Sequence, residues 1–138
     1  MKQKLGVPVI VLRDNKVLLA KRIKKYGAGQ YGLPGGHLDA RETIEACAIR
    51  ELSEEVGIVA TAINTIGVVK EWQATQFFIH FIVVCTKWEG EIVNLEPEKS
   101  ENWQWYSLDN LPENILPGHL AGLNILLSEL KQFQVVEI

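Results

Sequence analysis

At 138 residues the chain is expected to form a single domain over 1–138, with little room for a second core. Hydrophobic residues at 47% and charged residues at 22% argue against disorder, a coiled coil or a collagen-like repeat. A net charge of −3 gives no general pull toward nucleic acid, so no nucleic acid polymer is expected as a partner.

The start, MKQKLGVPVIVLRDN, has the basic opening and short apolar run of a weak signal peptide. Arg13 and Asp14 end that run early, and it reads better as a strand over 7–13. Asp14-Asn15 is a turn and 16–21 the returning strand. Residues 21–36, KRIKKYGAGQYGLPGG, read as a glycine-rich loop whose cluster Lys21, Arg22, Lys24 and Lys25 suits a solvated surface. Its GAGQYG has dinucleotide-fingerprint spacing, but LPGG follows instead of a helix. A helix is predicted from about Thr43, its N-cap, to Val56, with Gly57 as the left-handed residue after it. Strands are predicted over 63–72, 76–88 and 103–108, with an acidic loop at 94–102. A final amphipathic helix over 119–133 would bury Leu120, Leu123, Leu127 and Leu130. Trp103, Trp105 and Phe81 suit a core. This order predicts an α+β fold, an α/β/α sandwich with a mixed sheet between helices.

Cys47 and Cys85 lie in apolar-periodic segments and suit a reducing compartment better than a disulfide scaffold. No apolar run approaches the roughly 20 residues that span a bilayer. The expectation is a soluble, cytoplasmic protein without a membrane partner. His37, His80 and His119 are scattered, which argues against a histidine metal site.

The chemistry concentrates in GHLDARETIEACAIRELSEEVGI, Gly36 to Ile58. At about 100° per residue, Glu51, Glu54 and Glu55 share an arc of about 100° beside the apolar face of Ala48, Ile49, Leu52 and Val56. Like charges at i,i+4 are unfavourable by a few tenths of a kcal/mol, so a positive partner is expected. A hard divalent cation suits oxygen ligands, and Arg50 can hold a carboxylate rotamer. Gly35 and Gly36 allow backbone to approach a ligand closely.

This string resembles the Nudix box, G-x5-E-x7-R-E-U-x-E-E-x-G-U, at every position: Gly36, Glu42, Arg50, Glu51, Leu52, Glu54, Glu55, Gly57 and Ile58 fill it in order. The resemblance implies hydrolysis of a nucleoside diphosphate linked to another group, with Mg2+ or Mn2+. It implies Glu51 and Glu55 as metal ligands, Glu54 as a further ligand or general base, Arg50 as the residue orienting Glu51, and Glu42 as support. A metal would offset phosphate charge and lower the pKa of water.

The stretches VLLAKR…GAGQYGLPGGHLD and NLEPEKSENWQWYSLDNLP are similar to the MutT-like nucleoside triphosphate diphosphatase branch, the one with the human diphosphatase of thiopurine nucleotides. That likeness implies conversion of an NTP or dNTP, oxidised or non-standard ones included, to NMP and pyrophosphate. It implies Arg22 on the triphosphate, Gly35, Gly36 and His37 against substrate, and Glu98 as a carboxylate from outside the box. Phe77 or Phe78, with Leu120, Gly122 and Leu123, would line a base pocket. The proline of many ADP-ribose pyrophosphatases is absent near Gln73, as is the tyrosine of dinucleoside polyphosphate hydrolases. The alternatives are an ADP-ribose or nucleotide-sugar pyrophosphatase and a non-catalytic nucleotide-binding domain, as monomer or homodimer. Asp39-Ala40-Arg41 replaces the usual Glu-x-Gly before Glu42, which puts the loop path in question.

Overall fold

The computed structural model describes residues 2–24 and 26–138; Lys25 of the basic cluster lies outside them. Strand β1, Lys2–Arg13, turns at Asp14-Asn15 into β2, Lys16–Lys21. Both turn residues have positive φ, 49° and 62°, the left-handed pair that matches the twist of a tight hairpin. The short strands β3, Tyr31–Gly32, and β4, Gly35–His37, interrupt the predicted loop. Helix α1 covers Ile44–Val56, and β5, Val59–Gln73, forms a long hairpin with β6, Gln76–Glu89. Strand β7, Gln104–Ser107, helix α2, Pro117–Leu127, and β8, Gln134–Glu137, complete the chain.

The sheet runs β3-β2-β1-β6-β5-β8, with β4 also on β1 and β7 also on β2. It is mixed, because β1 runs parallel to β6 and β5 parallel to β8. Strand β1 starts earlier than predicted because its opening residues pair with β6, Gly6 opposite His80.

Alternation along β1 divides the core. Val7, Val9 and Val11 face Ala48, Leu52 and Val56 of α1, whereas Ile10 joins Val69, Ile82 and Leu123 of α2 on the opposite face. The two clusters on the two faces of one sheet make the α/β/α sandwich, as predicted. Trp105 stacks on Trp88 at 6.0 Å and packs on the α1 cluster.

Two corrections concern the end of the chain. Helix α2 starts at Pro117, whose fixed φ suits a first helical position, and stops at Leu127, where Ser128 turns extended. Of the four leucines expected inside, only Leu123 is buried; Leu120, Leu127 and Leu130 are exposed. Gly118, Ala121, Gly122 and Ile125 complete the buried side. Residues predicted as the last helical turns lead instead into β8, paired with β5 from Gly67↔Gln134. Among the described residues no helix is long and apolar enough to cross a membrane.

Candidate active site

Thr43 caps α1 through its side-chain oxygen, which accepts from Ala46 N–H at 3.0 Å, and Gly57 ends it at φ 75°. This fixes the register in which Glu51 and Glu55 point at β4. Gly35 sits at φ 143°, where a side chain would strike the Val7 carbonyl. Gly36 leaves the space that the Glu51 carboxylate occupies. The Gly35 N–H donates to Glu55 Oε2 at 2.8 Å. The glycine pair thus brings backbone against two carboxylates with no Cβ between them.

Desolvation raises the pKa of both. Glu55 is pushed up to about 8 by burial, with Glu51 and Glu96 adding repulsion and Gly35 N–H and Lys99 opposing it. Glu51 is also raised by burial, against the pull of Arg50.

Arg50 is the hub. It grips Glu42 in bidentate fashion, Nε to Oε2 at 3.0 Å and Nη2 to Oε1 at 2.7 Å, and donates from Nη1 to Glu51 Oε1 at 2.9 Å and Glu54 Oε2 at 3.2 Å. Nη2 also reaches the His37 carbonyl at 3.3 Å. The guanidinium holds Glu42 at about 2, and the Cys47 thiol beneath, desolvated and beside Glu42, is pushed up to about 12. Glu42 closes its loop by accepting the Asp39 N–H at 3.0 Å. No residue of 39–41 needs a positive φ, so the missing glycine leaves this loop intact.

The cleft has a volume of about 860 Å3 and is lined by Glu51, Glu55, Gly35, Gly36, His37 and Arg22, among others. Lys24 and Lys99 add positive charge on the same walls. Glu54 does not line the cleft; its side chain is 56% exposed and is tied to the cleft only through Arg50. Glu98 does not reach the cleft: Lys99 N–H closes a turn on the Glu96 carbonyl at 2.9 Å, which turns Glu98 outward and puts Glu96 on the wall. Trp103, expected in the core, also lines the cleft, with Nε1–H 3.4 Å from the Glu55 carbonyl.

Among the described residues no three His, Cys, Asp or Glu side chains already converge as a metal-binding group. The donor set nevertheless suits a hard cation. Arg50 takes Glu51 Oε1 and Gly35 takes Glu55 Oε2, so each carboxylate keeps its second oxygen, and the only ligating atoms are oxygens.

A second pocket of about 250 Å3 shares Arg22, Gly35 and Gly36 with the cleft. Tyr26 and Phe78 form an aromatic wall, their rings 5.6 Å apart, and Leu33 and Leu116 add apolar surface. Of the two phenylalanines weighed earlier, Phe78 is here and Phe77 stacks on Trp72. From α2 and its entry, Leu116 and His119 contribute, in place of Leu120, Gly122 and Leu123. Two of the three scattered histidines meet: His80 and His119 cross edge to face at 5.9 Å. Buried Glu71 accepts from His80 Nε2 at 2.8 Å. The readable signal was an acid and a histidine at core-facing positions of an apolar hairpin, since Val69↔His80 and Glu71↔Phe78 pair across it.

Comparison with known proteins agrees with this geometry. The NUDIX domain family model matches residues 2–124. An NAD-capped RNA hydrolase NudC of Pseudomonas aeruginosa is 38% identical over 107 residues, 75% of this chain and 36% of that protein; the chain thus spans about a third of that relative. An oxidized purine nucleoside triphosphate hydrolase of Danio rerio is 34% identical over 113 residues, 79% of this chain and 69% of the relative. The crystal structure of a MutT NUDIX hydrolase from Burkholderia pseudomallei superposes with a TM-score of 0.86 at 29% identity, covering 91% of this chain and 99% of that one. The chain belongs to the Nudix family. Within that family its sequence and fold are MutT-like.

Proposed function

We propose that the domain hydrolyses nucleoside triphosphates, oxidised or non-standard ones included, to nucleoside monophosphate and pyrophosphate with Mg2+ or Mn2+. The observation that carries this reading is the continuity of two subsites. A desolvated carboxylate pair under Gly35 and Gly36 opens, across Arg22, into an aromatic-walled pocket of nucleobase character.

Glu51 and Glu55 would hold the metal, which when bound offsets phosphate charge and supplies Lewis acidity. Arg22, with Lys24 and Lys99, binds the phosphate chain. Arg50 keeps Glu51 in its rotamer and positions Glu54 beside the cleft as the group that takes the proton from the attacking water. Water adds to phosphorus, the anhydride bond between the α and β phosphates breaks, and pyrophosphate leaves. Glu96 takes the place expected for Glu98 as the carboxylate from outside the helix.

A second reading, cleavage of a dinucleotide or ADP-ribose pyrophosphate bond, is favoured by the NudC likeness and by an ADP-ribose pyrophosphatase of Methanocaldococcus jannaschii, 29% identical over 110 residues. A product screen with Mg2+ separates them. It would cover the standard triphosphates, 8-oxo-dGTP, NAD, ADP-ribose and nucleotide sugars. Monophosphate with pyrophosphate from triphosphates supports the first reading. Monophosphate without pyrophosphate, from NAD or ADP-ribose alone, replaces it with the second.

A further inference from the structure

Two imidazoles, His80 and His119, line the aromatic-walled pocket, and hydrolysis as derived above uses neither. Each has one ring nitrogen committed inside the protein. His119 Nδ1 accepts the Leu33 N–H at 2.9 Å, so its proton sits on Nε2. Burial, with His80 and Arg22 nearby, pushes its pKa well below the ordinary histidine value and keeps the ring neutral. His80 Nε2 lies 2.8 Å from Glu71 Oε1, and an ionised carboxylate only accepts, so this nitrogen carries a proton. Gln73 Nε2 holds the other Glu71 oxygen at 2.9 Å, and the bond from His80 keeps Glu71 below the usual carboxylate range.

The remaining nitrogens, His80 Nδ1 and His119 Nε2, make no hydrogen bond among the described residues, and neither is a fully enclosed orphan. Gly6 stands opposite His80 and also lines the pocket; a Cβ there would come within 3.4 Å of Nδ1. Gly118, in the first turn of α2, lies so close to the pair that a side chain would collide with His80 Nε2 and Glu71 Oε1. A glycine there is a poorer helix former than alanine. Burying a carboxylate against an imidazole is likewise weak evidence for stability. Two unfavourable local choices therefore converge on one result, a fixed orientation and tautomer for His80.

We infer that His80 Nδ1 and His119 Nε2–H read the edge of a nucleobase stacked in this pocket, with Glu71 as the positioning residue behind them. The inference rests on the nucleotide reading of the adjoining cleft. Because the Glu71 carboxylate takes the Nε2–H of His80, His80 Nδ1 is the acceptor of the pair and His119 Nε2–H the donor. They complement a base edge on which an N–H and an acceptor, carbonyl oxygen or ring nitrogen, sit side by side. A guanine or uracil methylated at its ring N–H lacks the donor and leaves His80 Nδ1 unpaired, which a site built for hydrogen bonding rejects.

The test uses the whole chain labelled with 15N-histidine and titrated, without metal, with GMP, AMP, UMP and CMP, then with 1-methyl-GMP and 3-methyl-UMP. Turnover of the corresponding triphosphates with Mg2+ is measured in parallel. At least one unmodified monophosphate is expected to shift both free ring nitrogens by several ppm, with its methylated counterpart bound about tenfold or more weaker. His80→Phe and His119→Phe keep the aromatic wall and are expected to erase that discrimination. Glu71→Ala should scramble the His80 tautomer in the free protein, and Glu71→Gln, which retains an acceptor for Nε2–H, should restore it.

Turnover or binding with both rings unmoved, or with equal affinity for methylated bases, overturns the inference and leaves the hydrolytic reading standing. Ring shifts without any turnover do the reverse. No binding and no turnover across the panel overturns both.

Discussion

Glu55 is a carboxyl that burial makes a weak acid. Its value of about 8 in the metal-free protein, against an ordinary 4.5, means the folded state binds this proton more tightly than the unfolded chain. Its contribution to stability is therefore complete below pH 4.5 and disappears as pH rises through 8. Glu42, held at about 2 by Arg50, acts in the opposite sense: its contribution is present above pH 4.5 and is lost as pH falls through 2. In EDTA, Tm should decline from pH 4.5 to 8, and Glu55→Gln should flatten that slope. Added Mg2+ should raise Tm more at pH 8 than at pH 5, because a metal needs the ionised form. Thermal scans across pH check all three. For turnover, Glu51→Gln or Glu55→Gln is expected to lower kcat by orders of magnitude with an unchanged circular dichroism spectrum, since each removes a proposed metal ligand and not a core contact. Near-normal kcat in either variant would remove that residue from the metal site.

At the scale of elements, α1 and β4 act as one unit, and α1 was legible because its signals agree. Thr43, Gly57 and the buried stripe of Ala48, Leu52 and Val56 all fix the same helix. Strand β4 was hidden, since three residues give no period and its pairing partner on β1 is nearly 30 residues away. Gly36→Ala tests the unit. The added methyl meets the Glu51 carboxylate, so activity should fall by about tenfold or more with Tm changed little, by paired kinetics and melting. Helix α2 misled because its leucines follow helical spacing although the helix sits on the sheet by its glycines and alanine. Gly118, Ala121 and Gly122 let the backbone approach, and Gly122 faces Ile82. Strand β8 is four residues whose pairing with β5 is set by tertiary contact. The ring pocket was illegible for a similar reason: His80 and His119 are 39 positions apart and meet only through the sheet and α2.

For the whole molecule, the two clusters on either face of the sheet predict where substitutions are felt. Leu123 is fully buried and Leu130 is 62% exposed, although spacing alone placed both inside. Leu123→Ala should cost about 2–5 kcal/mol, and Leu130→Ala no more than about 0.5 kcal/mol. Urea denaturation of the two variants decides between the observed end of α2 and a helix continuing to residue 133. A loss at Leu130 comparable to that at Leu123 would favour the longer helix.

The parallel pairing of β1 with β6 also has a consequence for how the chain is made. Gly6 waits for His80, 74 positions later, so the strand VPVIVL leaves the ribosome long before its main neighbour exists. During that interval β2 offers β1 only the pairs at Leu12 and Arg13, and β4 only those at 6–8. An apolar strand with an open edge is a template for association between nascent chains. Assembly must also close a long loop before the central pairing forms, which places folding in the slower range of small domains. Yield in cells should therefore depend on chaperones and on synthesis rate more than the stability of the finished domain would suggest.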